Sequence, residues 1–287
     1  MFNSIDPKYD NSKMFSSFLN KNNSVERYGY QERGLGEITD PSRYYYINKH
    51  GFRGKEISGK EDILIAGCSF TFGSGIPEEK IWGVQVANNM SLSYSNLGYP
   101  GASILSIINS IFSYFKEYGN PKILACLFPD LDRIQLPVDN KIWTSKSDNL
   151  NKDLARVFLG EHHNNLPRYS KAPHNIENVM PLSVPRWISI KYIQILEQYC
   201  RSSNIKFIWS TWDNRFLPPL VESKQFDFLI NTKNIDQEIN NKCHNDLKND
   251  FKEIFDRGSD IEYGLDRAHW GVHKHTHYAE YFEKALK

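Results

Sequence analysis

The sequence is short of cysteine, of surplus charge and of long apolar runs. Its four cysteines, Cys68, Cys126, Cys200 and Cys243, stand far apart with no CxxC pair. That spacing argues against a thiolate zinc site and against a small disulfide framework. Three of the four lie in apolar runs and are expected as buried free thiols. With 35 Lys and Arg against 34 Asp and Glu, the formal net charge is +1. No basic excess remains to bind nucleic acid or an anionic membrane surface, so neither is expected as a partner. No run approaches the ~18 apolar residues of a membrane span, and "MFNSIDPKYDNSKMF" has no basic stretch followed by an apolar core. The expected setting is intracellular and reducing, cytoplasmic or virion-associated.

A chain of 287 residues can bury one large core. The expectation is a single domain over 1–287, with an N-terminal extension over 1–60 and an insertion at about 131–183. Short apolar runs alternate with helical periodicity, which is the pattern of a parallel sheet covered by helices. The runs are "DILIAG" (62–67), "LSYSNLG" (92–98), "KILACLF" (122–128) and "IKFIWST" (205–211). Ile104, Ile107, Ile108, Ile111 and Phe115 share one helical face, as do Trp187, Ile190, Ile193, Leu196 and Cys200. Two further stripes are Leu247, Phe251, Ile254 and Phe255, and Ala279, Phe282 and Leu286 near the end of the chain. "YYYINKHGFRG" reads as a strand and turn laid against the domain. The polar stretch from about 131 to 183, with Pro137, Pro167, Pro173 and Pro181, reads as an insertion over one rim of the sheet.

Chemistry gathers at "LIAGCSFTFGSG", Leu64 to Gly75. Ligands of open parallel sheets bind beyond the carboxyl ends of the strands, and Ser69 follows the first run at once. Three glycine motifs fail here. GxGxxG meets Ser69 in place of its second glycine, the phosphate loop has no lysine, and GxSxG meets Thr71 in place of its last glycine. The remaining pattern is GxSxTxG. Thr71 is expected to cap or support the turn rather than to react.

That pattern resembles the first block of the SGNH or GDSL-type hydrolase superfamily, whose nucleophilic serine follows the first strand. "NLGYPG", with Asn96, Gly98 and Gly101, resembles the second block, and "LDRAHWG", with Asp266 and His269, the last. The resemblance implies a three-layer α/β/α sandwich with a flavodoxin-like, mostly parallel sheet. It also implies Ser69 as nucleophile, His269 as base and Asp266 as its partner. Asp266 and His269 lie three residues apart, so the carboxylate can hold Nδ1–H and leave Nε2 free for the serine proton. Gly101 matches the oxyanion-binding glycine, although a glycine beside Pro100 is also a common bend. Gly98 reads as a turn glycine.

The third block departs from the pattern. "LFPDLDR" has no glycine and no asparagine, and Asp130 is the nearest match, with Asp132 the alternative register. A unit charge about 4 Å from an oxyanion repels it by ~4 kcal/mol at an effective dielectric near 20. Asp130 is therefore protonated, or turned toward Arg133, or the oxyanion hole uses backbone donors alone.

Trp270, beside the expected base, and Trp143, in the polar insertion, are candidates for lining a substrate pocket, whereas Trp82 and Trp209 read as core. "HKHTH" would line His273, His275 and His277 along one face of a strand, but the segment reads as helical, so no metal is expected. No cofactor is called for. The resemblance implies an esterase acting on a small-molecule or carbohydrate ester, such as an O-acetyl group. The alternatives are an acyltransferase, or a weakly active or inactive protein of the same fold that binds carbohydrate or serves a structural role.

Overall fold

The computed structural model describes residues 46–74, 76–131, 133–138, 141–142, 155–158, 183–213, 216–232 and 271–287. All four apolar runs are strands: β1 (Ile63–Gly67), β2 (Tyr94–Gly98), β3 (Ile123–Phe128) and β7 (Lys206–Thr211). They pair in parallel in the order β2-β1-β3-β7. Reversal of the strand order on either side of β1 is the flavodoxin-like arrangement, and it opens a crevice between the loops that follow β1 and β3.

Side-chain alternation along these strands builds two cores. Leu64, Ala66, Leu124, Cys126, Phe207 and Trp209 face one layer with α3 (Ile104–Tyr118) and α4 (Ser183–Ser202). Ile63, Ile65, Ala125, Leu127 and Ile208 face the other, with α2 (Trp82–Asn89) and α6 (Val272–Leu286). The described core is therefore a three-layer α/β/α sandwich. Ile63, Leu64, Ile65 and Ala66 are all fully buried, which is why their run is continuous rather than alternating.

The helical stripes fall mostly where expected. Ile104, Ile107, Ile108 and Ile111 are buried on α3, and Ala279, Phe282 and Leu286 on α6. On α4, Ile193, Leu196 and Cys200 are buried, but Trp187 is 61% exposed. Six residues before Ile193 at about 100° per residue, Trp187 lies roughly 120° around the helix and leaves the stripe. The stripe at Leu247–Phe255 lies outside the described residues. Cys68, Cys126 and Cys200 are buried free thiols, and Trp82 and Trp209 are core.

The 131–183 stretch carries strands of its own: β4 (Arg133–Val138), β5 (Lys141–Ile142) and β6 (Ala155–Phe158) form an antiparallel sheet in the order β5-β4-β6. In "YYYINKHGFRG", Ile47 bridges Arg53 across a turn, and Phe52 and Arg53 are buried against the domain. No described helix is long and apolar enough to cross a membrane.

Candidate active site

The turn after β1 works because two glycines let backbones touch. β1 runs directly into a four-residue helix, α1 (Ser69–Phe72). A Cβ on Gly67 would strike the Thr71 side chain and come within 2.6 Å of the Leu127 carbonyl. On Gly98 a Cβ would strike the Phe72 backbone nitrogen. Gly98 is thus the glycine that lets β2 end beneath α1. The Asn96 amide secures this packing: Nδ2 donates to the Thr71 carbonyl at 2.8 Å, and Oδ1 accepts from Gly98 N–H at 2.8 Å.

Thr71 is not a cap. The N-cap residue is Cys68, which makes no side-chain capping bond. Thr71 lies inside the helix, fully buried, and its Oγ1 accepts from Trp82 Nε1 at 3.3 Å. The sharpness of the turn puts the threonine on the core side of α1, where the indole needs an acceptor.

Ser69 is the first residue of α1 and 7% exposed. Among the described residues, Ser69 Oγ forms no hydrogen bond and the backbone N–H groups of Ser69 and Gly101 donate none. Gly101 sits in a turn closed by Ala102 N–H donating to Tyr99 C=O at 3.1 Å. Pro100 at the second position and Gly101 at φ +71° at the third follow the type II pattern. Tyr99 N–H donates to Gly67 C=O at 3.1 Å, so this turn hangs from the end of β1 beside Ser69.

The loops after β3 and β7 close the other side of the crevice. Asp130, 6% exposed, forms an ion pair with Arg133 Nη2 at 2.9 Å. Asp213, itself 5% exposed, lies two residues beyond β7. Burial raises the Asp130 carboxyl above the ordinary range; the Arg133 charge opposes this, and the Asp213 carboxyl reinforces it. Arg133 Nη1 reaches the Ala102 carbonyl at 3.4 Å, and its guanidinium lies 5.7 Å from the centre of the Trp212 ring. Trp212 packs edge-on against Phe70, with 5.0 Å between ring centroids, and its Nε1 donates to Cys68 Sγ at 3.3 Å. Arg133 and Trp212 therefore stitch the four strand ends together.

Of the residues singled out from sequence, Ser69, Gly101 and Asp130 meet at this sheet edge. Asp266, His269, Trp270 and Trp143 lie outside the described residues, as does Asp132. The "HKHTH" segment is helical, within α6. Asp213 was missed: "STWD" carries no motif, and only its place two residues beyond β7 could have marked it. A separate cavity of about 540 Å³, lined by Asn48, Lys55, Glu78, Val84, Asn88 and Tyr94 among others, does not include Ser69, Gly101 or Asp130.

No protein-family model matches the chain, and no curated protein matches it. The solved structures that resemble it include two esterase-like proteins. One is a carbohydrate esterase family 2 enzyme with a carbohydrate-binding domain from Corynascus thermopiles (Myceliophthora fergusii), 13% identical, covering 81% of this chain and 67% of its own, with a TM-score of 0.35. The other is a member of the lipolytic G-D-S-L family from Veillonella parvula DSM 2008, 12% identical, covering 76% of this chain and 94% of its own, with a TM-score of 0.28. Likeness this distant carries no activity across, and the α/β sandwich rests on its own strand order and its two cores.

Proposed function

We propose that this chain is a serine ester hydrolase of the SGNH type that acts on a small acyl ester, with an O-acetyl group on a carbohydrate as the substrate class. The observation that carries the reading is Ser69 beyond the carboxyl end of β1, beside the Gly101 turn, with neither the Ser69 hydroxyl nor the Gly101 N–H hydrogen-bonded among the described residues. In this reading Ser69 Oγ attacks the ester carbonyl while His269 Nε2 takes its proton and Asp266 steadies the imidazolium. The Ser69 and Gly101 N–H groups meet the developing oxyanion. Collapse expels the alcohol with a proton from His269. Water then attacks the acyl-enzyme with His269 again as base, releasing the acid and restoring Ser69. Trp270 and Trp143 are assigned to the substrate side of the site.

A fluorophosphonate probe tests this directly. Labelling of the wild type that disappears in Ser69→Ala and His269→Ala supports the hydrolase, and absence of labelling in a well-folded wild type refutes it. Adding sugar or alcohol acceptors separates hydrolysis from acyl transfer, because a transferase diverts the acyl group from water. One observation favours a second reading, a carbohydrate-binding protein without turnover: Asp130 stands where the resemblance expects an asparagine donor, and its carboxyl is engaged by Arg133.

A further inference from the structure

The turn that carries Gly101 is held from both sides of the crevice. On the near side, Tyr99 N–H donates to Gly67 C=O and Ala102 N–H donates to Tyr99 C=O, so the turn is hung from β1 and closed on itself. Its last residue still has a need. Ser103 is the N-cap of α3, so the Ala102 carbonyl lies one residue outside the helix and accepts nothing from its ladder. Ala102 is buried, and a buried carbonyl needs a donor from elsewhere. Arg133 supplies one from the far side: Nη1 donates to the Ala102 carbonyl at 3.4 Å. The guanidinium is itself fixed. Nη2 donates to Asp130 Oδ2 at 2.9 Å, the Arg133 backbone N–H donates to the Asp130 carbonyl at 3.1 Å, and the Trp212 ring centre lies 5.7 Å from Cζ.

We propose that Arg133 is a positioning residue for the reaction: it fixes the turn so that the Gly101 N–H stands where the oxyanion develops, with Asp130 as the anchor that aims its guanidinium. The proposal rests on the hydrolase reading. It gives Asp130 a task other than that of the asparagine donor the resemblance expects, because the carboxyl holds the guanidinium and the guanidinium holds the turn. A guanidinium suits this task, since its donors are set in a rigid plane and one Nη serves Asp130 while the other serves Ala102. The worth of an oxyanion donor lies in its aim. Removing one costs about 10² to 10³ in rate, and a misplacement of about 1 Å costs on the order of 10². The oxyanion exists only after attack, so the loss falls on kcat rather than on substrate binding.

The test is Arg133→Lys, which keeps a cation for Asp130 but lacks the planar fork that spans Asp130 and Ala102. With an aryl acetate, kcat should fall about 10- to 100-fold while KM stays within about threefold. In the folded variant, hydrogen exchange at the Ala102 amide should quicken about tenfold or more, while the Leu64 and Ile65 amides of β1 keep their protection. A role confined to stability would leave kcat unchanged below the melting transition. Wild-type kcat, a loss confined to KM, or wild-type exchange at Ala102 therefore overturns the proposal. If Arg133→Lys does not fold, the wild type answers by NMR: hindered rotation of the Arg133 Nη groups supports an anchored fork, and free rotation overturns it. If the wild type is neither labelled at Ser69 nor active, the hydrolase reading fails and takes the catalytic half of the proposal with it. Exchange at Ala102 then still decides whether Arg133 holds the turn.

Discussion

His275 Nδ1 accepts a hydrogen bond from the backbone N–H of Trp82 at 3.1 Å, joining the C-terminal helix to the first turn of α2. The first N–H groups of a helix have no partner within it, and the preceding residue here, Ile81, has no side-chain acceptor to offer. A fully buried imidazole from another element supplies what a serine or aspartate cap normally would. Trp82 also packs on Phe282 with 4.4 Å between ring centroids, so the bond fixes the register of α2 against α6.

His275→Ala should therefore lose both the cap and packed volume, about 2–4 kcal/mol together. Thermal unfolding should shift down by roughly 5–15 °C for a chain of this size. His275→Asn, whose side-chain oxygen can accept the same bond, should recover part of the loss. An alanine variant that melts with the wild type would show that water serves the Trp82 N–H equally well.

The sheet was legible in the sequence because each central strand is buried on both faces and so reads as an unbroken apolar run. The position of Ser69 was legible for a related reason: the run stops at Gly67, a residue whose missing Cβ the packing requires. Asp213 could not be read, because its meaning depends on β7 lying next to β3, a pairing no local pattern records. Thr71 was misread as a cap because its distance from the helix start is set by the sharpness of the turn. In the 131–183 stretch, Pro137 hid a strand. It pairs with Ile142 of β5 and lies past the Arg133–Leu136 segment that pairs with β6, so its missing N–H costs that ladder nothing.

Arg53 couples the N-terminal hairpin to the helix that carries Ser69. Buried at 3% exposure, it donates through Nη1 to the Phe72 and Gly73 carbonyls at 3.2 and 2.7 Å, and through Nη2 to the Ile76 carbonyl at 2.9 Å. A cation on the last carbonyls of α1 satisfies acceptors the helix leaves over and suits its negative end. Arg53→Met should leave them without this donor and cost about 2–4 kcal/mol. Because the loss falls on α1, fluorophosphonate labelling should slow at temperatures well below the melting transition. Labelling at the wild-type rate in the folded variant would show that α1 holds its shape without Arg53.

Glu197 predicts a dependence of stability on pH that is independent of the site. Its Oε1 accepts from Trp209 Nε1 at 2.7 Å and from Phe228 N–H at 3.3 Å, in the core between α4 and β7. Burial raises this carboxyl above its ordinary value of 4.5, and those bonds and the Arg201 charge only partly offset the shift. The folded chain then keeps a proton that the unfolded chain has already released. By linkage, the contribution is most favourable below pH 4.5, falls as pH rises from there through the raised value, and stays low above it. Glu197→Gln keeps an acceptor for the Trp209 indole and removes the buried charge, so it should melt higher than the wild type at pH 8 and close to it at low pH. Denaturation measured at pH 4 and pH 8 checks the sign: a glutamine variant that loses stability more at pH 8 than at pH 4 would mean that the ionised carboxylate is held by partners stronger than its desolvation.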